Sequence, residues 1–519
     1  MTEFLLSVIP LCALGAFILT PDTIQAAISD IPTPSNVRGY AQLQSIVITS
    51  AVTEGGLLGV CTRTVDSTTG RFRQESTLGI RSEAGGFDGS TIWSRDSAGL
   101  VQRDEGEFAM TAAVNQAYRC CMAYWFTDRI AAKSHSIGQR AVKDRLFDVI
   151  SVEPNKGSSF ELWFDAETHL LARSIEPGFY QSHITYFSDF RPVHGLLLPF
   201  STRTSNGDVR FDRIEEVQGV QLNPKLNSQS FAMPKEGGPD FNFADAFPIT
   251  IPFRLKSNLV VLEATINGRE MPFVLDTGAV NLIFPETVKE LGLTAEGHLS
   301  GFGGGQNEVT TSQVRVDALE FASTFYRPQI FMVYPFPTLR QVTGVPDLAG
   351  ILGYEIFKRF VIRIDYRKQE VTFTLPDTYH YTGNGVIIPF HFVGNAIEVD
   401  GAINSIPSRL IVDTGTTGSL ILYSPWVSNH RALFPNAFAA THTATGATGG
   451  DPVFAFAAIK LVTLGKYSVH DVTGALSLQT SGMTANPYSA GMVGAELFLK
   501  SAVILDYQRQ RIILEGEHD

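Results

Sequence analysis

The chain predicts a mainly β protein: a duplicated, two-lobed β unit in its C-terminal half, preceded by an antiparallel β domain. Three observations predict it. The tripeptide Asp-Thr-Gly occurs twice, each time closing an apolar run, Phe273-Val274-Leu275-Asp276-Thr277-Gly278 and Leu410-Ile411-Val412-Asp413-Thr414-Gly415. The surroundings of the two copies repeat as well, which marks an internal duplication. Residues 36–232 break into short alternating runs separated by turn-formers, the signature of antiparallel strands.

At the N-terminus a continuous apolar run extends from Phe4 to Thr20, followed by Pro21 and the small residues Ala26 and Ala27. This is shorter than a comfortable transmembrane helix and reads as a cleaved secretory leader over 1–27. Its opening, Met1-Thr2-Glu3, has no Lys or Arg, so an uncleaved membrane anchor is the alternative. The expected location is secreted or periplasmic. In that oxidising setting Cys61 is expected to pair with Cys120 or Cys121, leaving one thiol over.

Between 36 and 232, Phe160-Glu161-Leu162-Trp163-Phe164 and His183-Ile184-Thr185-Tyr186-Phe187 read as strands, and Asn155-Lys156-Gly157 as a turn. The stretch 233–246, with Pro234, Gly237, Gly238 and Pro239, reads as a linker. Two lobes follow, over 247–378 and 379–519. Ile251-Pro252-Phe253 precedes the first Asp, and Ile388-Pro389-Phe390 the second, with each Pro 24 positions before its Asp. Downstream, Gly350-Ile351-Leu352-Gly353-Tyr354-Glu355-Ile356-Phe357 is echoed by Gly491-Met492-Val493-Gly494-Ala495-Glu496-Leu497-Phe498, and Val361 to Tyr366 by Ala502 to Tyr507. The offset is 137 between Asp276 and Asp413 and 141 between Asp365 and Asp506, so the second copy carries four net extra residues.

Inside the first copy, Asn267-Gly268 between Val260–Thr265 and Pro272–Leu275 is a two-residue hairpin signal, with Asp400-Gly401 in the comparable place of the second. Pro285 to Gly292 reads as a short helix with Pro near its start and Gly past its end. Glycine clusters at Gly301-Phe302-Gly303-Gly304-Gly305 and Gly446-Ala447-Thr448-Gly449-Gly450 are candidate hairpins. The first has neither the last Gly of a dinucleotide fingerprint nor a following Lys-Ser or Lys-Thr, which argues against nucleotide binding.

Two Asp-Thr-Gly loops point to a paired-carboxylate site at Asp276 and Asp413. Carboxylates held about 3 Å apart cannot both ionise, so they share a proton, and one serves as base while the other serves as acid. Thr277 and Thr414 can hydrogen-bond across the junction of the loops, while Gly278 and Gly415 allow close backbone approach. With 519 residues, 44% of them apolar, the chain can bury several cores, and its net charge of −12 excludes a nucleic-acid backbone as a natural partner. There is no Cys-x-x-Cys or His-Glu-x-x-His pattern, so neither metal nor other cofactor is expected.

On these motifs, residues from about 247 to 517 resemble the retropepsin and pepsin superfamily of aspartic peptidases. The resemblance implies a bilobal double β-barrel with one catalytic Asp per lobe, an apolar-apolar-Gly element threading beside each catalytic loop, and a flap with Phe302, Gly303 and Gly304 as candidates. It implies an aspartic endopeptidase acting on peptide or protein substrates as a monomer. Members often carry Ser or Thr directly after Asp-Thr-Gly; here the first copy has Ala279 and the second has Thr416. Over 36–232, Phe87-Asp88-Gly89 with Trp93, Phe164-Asp165 with Thr168 and Leu170, and Tyr186 with Asp189-Phe190-Arg191 and Gly195-Leu196-Leu197-Leu198-Pro199 resemble lipoprotein-carrier half-barrels. That resemblance implies an apolar ligand for this domain. The alternatives to a peptidase are a peptide or cell-envelope binding module without turnover, and a carrier whose peptidase-like half is structural.

Overall fold

The computed structural model describes residues 31–336, 338–444 and 449–516, and the chain is mainly β. The leader expected over 1–27 lies outside the described residues. Among those described, no helix is long and apolar enough to cross a membrane.

The N-terminal region is a 13-stranded antiparallel sheet. Its first strand, Ser45–Glu54, pairs with its last, Arg213–Leu222, and this central pair divides the sheet into two arms. The expected strands at Phe160–Asp165 and His183–Val193 are present. A helix, Glu107–Cys120, joins the arms, where an antiparallel sheet alone was expected. Its alanines, Glu107 in the first turn and Arg119 in the last are ordinary helix-favouring features. Ala113 and Ala117 pack with Phe72 and Phe87 of one arm, while Tyr118 packs with Phe160, Leu162 and Phe164 of the other. One helix touching both arms requires the sheet to wrap around it. Trp93 is buried, and its indole N–H donates to the Phe231 carbonyl at 2.9 Å, tying the end of this region to its sheet.

The expected disulfide is absent: Cys61, Cys120 and Cys121 are free thiols. Cys61 packs in a cluster with Val52, Leu57, Leu78 and Leu299, whereas Cys121 packs with Tyr118 and Phe164 and Cys120 against the Tyr40–Phe87 core. Their side chains serve different cores.

Within 233–246, Phe241–Phe243 forms a strand paired with Thr324–Tyr326, and Asp240 makes a buried ion pair with Arg359. The next strand, Ile249–Pro252, pairs with Glu370–Thr374 at the edge of a sheet that both copies share. Its order continues through Val361–Asp365, Ala502–Asp506, Arg511–Glu515 and Val386–Val393. The repeated segments meet each other at its centre, with Ile362 opposite Leu505 and Ile364 opposite Val503. The duplication seen in the sequence is therefore a pairing of equivalent strands across an approximate two-fold axis.

In the first copy, strands Leu259–Ile266 and Arg269–Leu275 flank Asn267-Gly268, both with positive φ, as a two-residue hairpin requires. The second-copy turn falls at Asn404-Ser405, not at Asp400-Gly401. Gly401 lies inside strand Ala396–Ile403, where a Cβ would collide with the Thr463 carbonyl of a strand pairing on its other side. That glycine serves close backbone approach rather than a turn. The side chains of Asn267 and Asn404 make matching bonds, accepting from the N–H groups of Ala318 and Leu461. The expected helix is present as Pro285–Glu290, with a counterpart at Ser424–Asn429.

Candidate active site

Each Asp-Thr-Gly loop leaves a buried strand that is flanked by a parallel neighbour. Phe273–Leu275 run beside Gly350–Leu352, and Leu410–Asp413 beside Gly491–Gly494. The apolar-apolar-Gly elements thus lie where the loops need support. A Cβ on Gly353 would strike the Ala279 carbonyl, and one on Gly494 that of Gly418. Only glycine permits those crossings.

The two loops meet through their threonines. The N–H of Thr277 donates to Thr414 Oγ1 at 3.0 Å, and the N–H of Thr414 donates to Thr277 Oγ1 at 3.0 Å. Each hydroxyl then donates to a carbonyl of the opposite strand, Thr277 to Val412 at 2.8 Å and Thr414 to Leu275 at 3.4 Å. Both threonines are fully buried, so these bonds are shielded from water. The junction brings the carboxyl groups of Asp276 and Asp413 together, each against the glycine of the opposite loop.

The glycines make that approach possible. A Cβ on Gly278 would lie 2.5 Å from Asp413 Cγ, and one on Gly415 would collide with the Asp276 carboxylate. Their N–H groups instead donate to the Asp of their own loop, Gly278 to Asp276 Oδ1 at 2.7 Å and Gly415 to Asp413 Oδ1 at 2.8 Å. Thr416 adds a donor on one side only, its hydroxyl reaching Asp413 Oδ2 at 3.1 Å. Ala279 offers none to Asp276.

Burial raises both acids. Asp276 is pushed well above the ordinary carboxyl value of 3.8, first by burial and then by the charge of Asp413. Asp413 is also raised by burial, but bonds from Asp276, the Gly415 N–H and Thr416 pull it back. The extra donor from Thr416 favours the charged form of Asp413 over that of Asp276.

Two residues not singled out from the sequence steady the first loop. The Asn281 side chain accepts from the Gly353 N–H at 2.9 Å, and the Asn281 N–H donates to Glu355 at 2.7 Å. Glu355 is pushed up to about 7 by burial. The signal was present in the repeated Gly-x-Glu at Gly353-Tyr354-Glu355 and Gly494-Ala495-Glu496; in the second copy Ser419 bonds Glu496.

The flap candidates form a hairpin. Phe302 ends strand Glu296–Phe302, and Gly303 and Gly304 lie in the turn before Glu308–Val316. The tip reaches the second copy, where the Asn307 N–H donates to the Gly449 carbonyl at 2.8 Å and Ser481 donates to the Gln306 carbonyl at 3.1 Å. Of the second glycine cluster, Gly446, Ala447 and Thr448 lie outside the described residues. A cavity of about 400 Å³ opens beside Asp413 and the Gly278-Ala279 loop. Three aromatic residues on its lining, Phe108, Phe179 and Tyr180, come from the N-terminal region. No local pattern in the sequence marked them, because they approach from elements distant along the chain. Among the described residues, no group of three or more His, Cys, Asp or Glu side chains is placed to hold a metal.

No curated protein matches the chain. Among solved structures it is similar to a DUF1329 family protein from Desulfovibrio piger, with 13% identity and a TM-score of 0.29 over 40% of this chain and 97% of that one. It is likewise similar to a LolA superfamily protein from Nitrosomonas europaea, with 13% identity and a TM-score of 0.27 over 41% of this chain and 98% of that one. Residues 262–356, which include the first Asp-Thr-Gly loop and its supporting Gly350–Leu352 strand, match the family model described as aspartyl protease, so the chain contains an aspartyl-protease-like domain.

Proposed function

We propose that the protein is an aspartic endopeptidase with Asp276 and Asp413 as its catalytic pair. The observation that carries this reading is the close approach of two carboxyl groups supplied by the two copies, each packed against the glycine of the other copy's loop. A binding surface has no use for two acids forced together, since the arrangement is costly unless a shared proton is put to work.

In this mechanism a water lies between the pair. Asp413, bearing the charge, takes a proton from the water as its oxygen attacks the scissile carbonyl carbon, and Asp276 gives its proton to the carbonyl oxygen. Collapse of the tetrahedral species returns that proton to Asp276. The proton on Asp413 passes to the leaving nitrogen as the C–N bond breaks. No covalent intermediate forms. Thr277 and Thr414 hold the geometry through the cycle, and Gly278 and Gly415 keep the space between the acids clear.

The test is digestion of a mixed peptide library by the purified protein, with and without pepstatin. Cleavage should occur, pepstatin should block it, and Asp276→Asn or Asp413→Asn should each abolish it while leaving the melting transition cooperative. Near-normal turnover in either variant would rule out paired-carboxylate chemistry.

Export from the cytoplasm belongs to the same proposal, supported by the apolar run from Phe4 to Thr20 and checked by N-terminal sequencing of the mature protein. A second role, binding of a small apolar ligand by the N-terminal region, is favoured by the apolar lining of a cavity of about 220 Å³, which includes Ile46, Val65, Trp125, Phe187 and Leu198. Fluorescent fatty-acid titration, with Trp125 emission as readout, tests it.

A further inference from the structure

We propose that the N-terminal β region completes the substrate pocket beside Asp413, with Phe108 and Phe179 limiting the size of the side chain that enters. The proposal rests on the peptidase reading of the dyad. At about 400 Å³ the cavity falls in the range of ligand pockets, roughly 300–1,000 Å³. Its floor is the Gly278-Ala279 loop and Asp413, and one wall, with Ile411, Tyr423 and Met492, belongs to the second copy. The facing wall comes from the N-terminal region.

Phe108 stands in the first turn of helix Glu107–Cys120, and Phe179 in the turn between strands Leu171–Glu176 and His183–Val193. Their rings meet edge to face at 5.4 Å. Both also contact Tyr488 of the second copy, Phe108 at 5.3 Å and Phe179 stacked at 6.2 Å. The neighbouring Tyr180 stacks on Phe302 of the flap hairpin at 4.7 Å, so the same turn touches the hairpin over the site. All three rings are half-buried, as walls of an open pocket are.

This wall is fixed to the floor. The Asp104 carboxylate accepts from the Gly106 N–H at 3.0 Å and from the Gly394 N–H at 3.1 Å. The Glu105 N–H donates to the Phe392 carbonyl at 3.0 Å, Gln510 donates to Glu105 at 2.6 Å, and Arg409 pairs with Glu107 at 2.6 Å. Phe108 follows directly on this clamp. Its ring therefore keeps its place relative to Asp413, which a size limit requires and a loosely docked domain would not provide.

The test uses the full chain and peptides whose central bond is replaced by a non-cleavable reduced amide, carrying Leu or Trp beside that bond. Binding is followed by fluorescence anisotropy, and cleavage of the parent amides by mass spectrometry. Phe108→Ala and Phe179→Ala should raise the Trp-to-Leu affinity ratio by about tenfold or more, the scale on which an apolar pocket discriminates by size. Phe179→Trp, which fills the cavity, should lower that ratio, so the assignment does not depend on truncation alone. Cleavage with ratios equal in wild type and all variants overturns the pocket assignment and leaves the peptidase reading in place. Binding with the expected shifts but no cleavage upholds the pocket and removes turnover. Failure of wild type to bind any of the peptides overturns both.

Discussion

At the scale of single residues, the asymmetry between the copies bears on the proposed chemistry. Thr416 donates to Asp413, while Ala279 leaves Asp276 without a matching donor. A donor that favours the carboxylate lowers its pKa, and a hydrogen bond to a charged group is worth about 1.5–3 kcal/mol. Since one pKa unit corresponds to about 1.4 kcal/mol, losing that bond should move the pair's lower apparent pKa up by about one to two units. The reactive form carries one proton on the pair, so activity falls as pH drops through that value. Thr416→Ala should therefore shift the acid limb of kcat/KM upwards, Thr416→Ser should leave it in place, and Ala279→Ser should shift it downwards. Superimposable acid limbs would mean that these hydroxyls do not tune the dyad. The residues of this site were legible in the sequence because the chemistry needs an acid, a cross-linking hydroxyl and a bare backbone in three consecutive positions. Which acid keeps the proton depends on the thread of the whole loop, and only Thr416 hinted at it.

At the scale of elements, two glycine-bearing hairpins separate what local sequence reveals from what it hides. Asn267-Gly268 is a turn and reads as one. Asp400-Gly401 has the same chemistry but lies in a strand, because the Val453–Leu464 strand presses on Gly401 and the turn is made by Asn404-Ser405 instead. The internal offset of 137 maps Asn267 onto Asn404, so periodicity located the turn better than residue type did. Gly401→Ala should cost roughly 1–3 kcal/mol from the clash with the Thr463 carbonyl, whereas Ser405→Gly, at φ 70, should stabilise by up to about 1 kcal/mol. Urea denaturation reads both. Glu355 ties the short helix Tyr354–Arg359 to the loop after Asp276, and it gives a pH dependence of its own. Burial raises it from an ordinary 4.5 to about 7, so its contribution to stability is fully present below 4.5 and is lost as pH rises through 7. Glu355→Gln keeps the acceptor for the Asn281 N–H and loses the charge. Its melting temperature should match wild type below pH 4.5 and exceed it above pH 7, by an amount corresponding to at most about 3 kcal/mol. Parallel curves across that range would show that Glu355 does not titrate in the folded protein.

At the scale of the molecule, the site belongs to no single segment. Asp276 and Asp413 come from different copies, the sheet beneath them takes three strands from each, and the N-terminal region grips both sides of the cleft. It holds lobe two through Asp104 and Glu105, and the flap hairpin through the His298 N–H to Gly55, Gln313 to Leu78, and Leu299 packed on Leu57 and Leu78. The bilobal part was legible because duplication leaves a repeat, while the docking of the N-terminal region was not, because contacts between distant elements leave no periodic trace. The shared sheet gives the last prediction. Among the described residues, the one backbone ladder crossing between the copies at its centre joins Val361–Asp365 to Ala502–Asp506, so a chain holding one copy presents that strand as an open edge. Because the missing partner is its own structural equivalent, an isolated copy can pair that edge only with another copy of itself or with the other half. Residues 247–378 and 379–519 expressed apart should each fail to cleave peptides as monomers. Mixed, they should associate in a one-to-one ratio by light scattering, with any recovered turnover tracking that association. Turnover by either half as a monomer would contradict a site built at the junction. Turnover by a homodimer of the second half would instead show that its own Asp413 pairs across the same strand interface, and the single-chain assignment of the dyad would have to be given up.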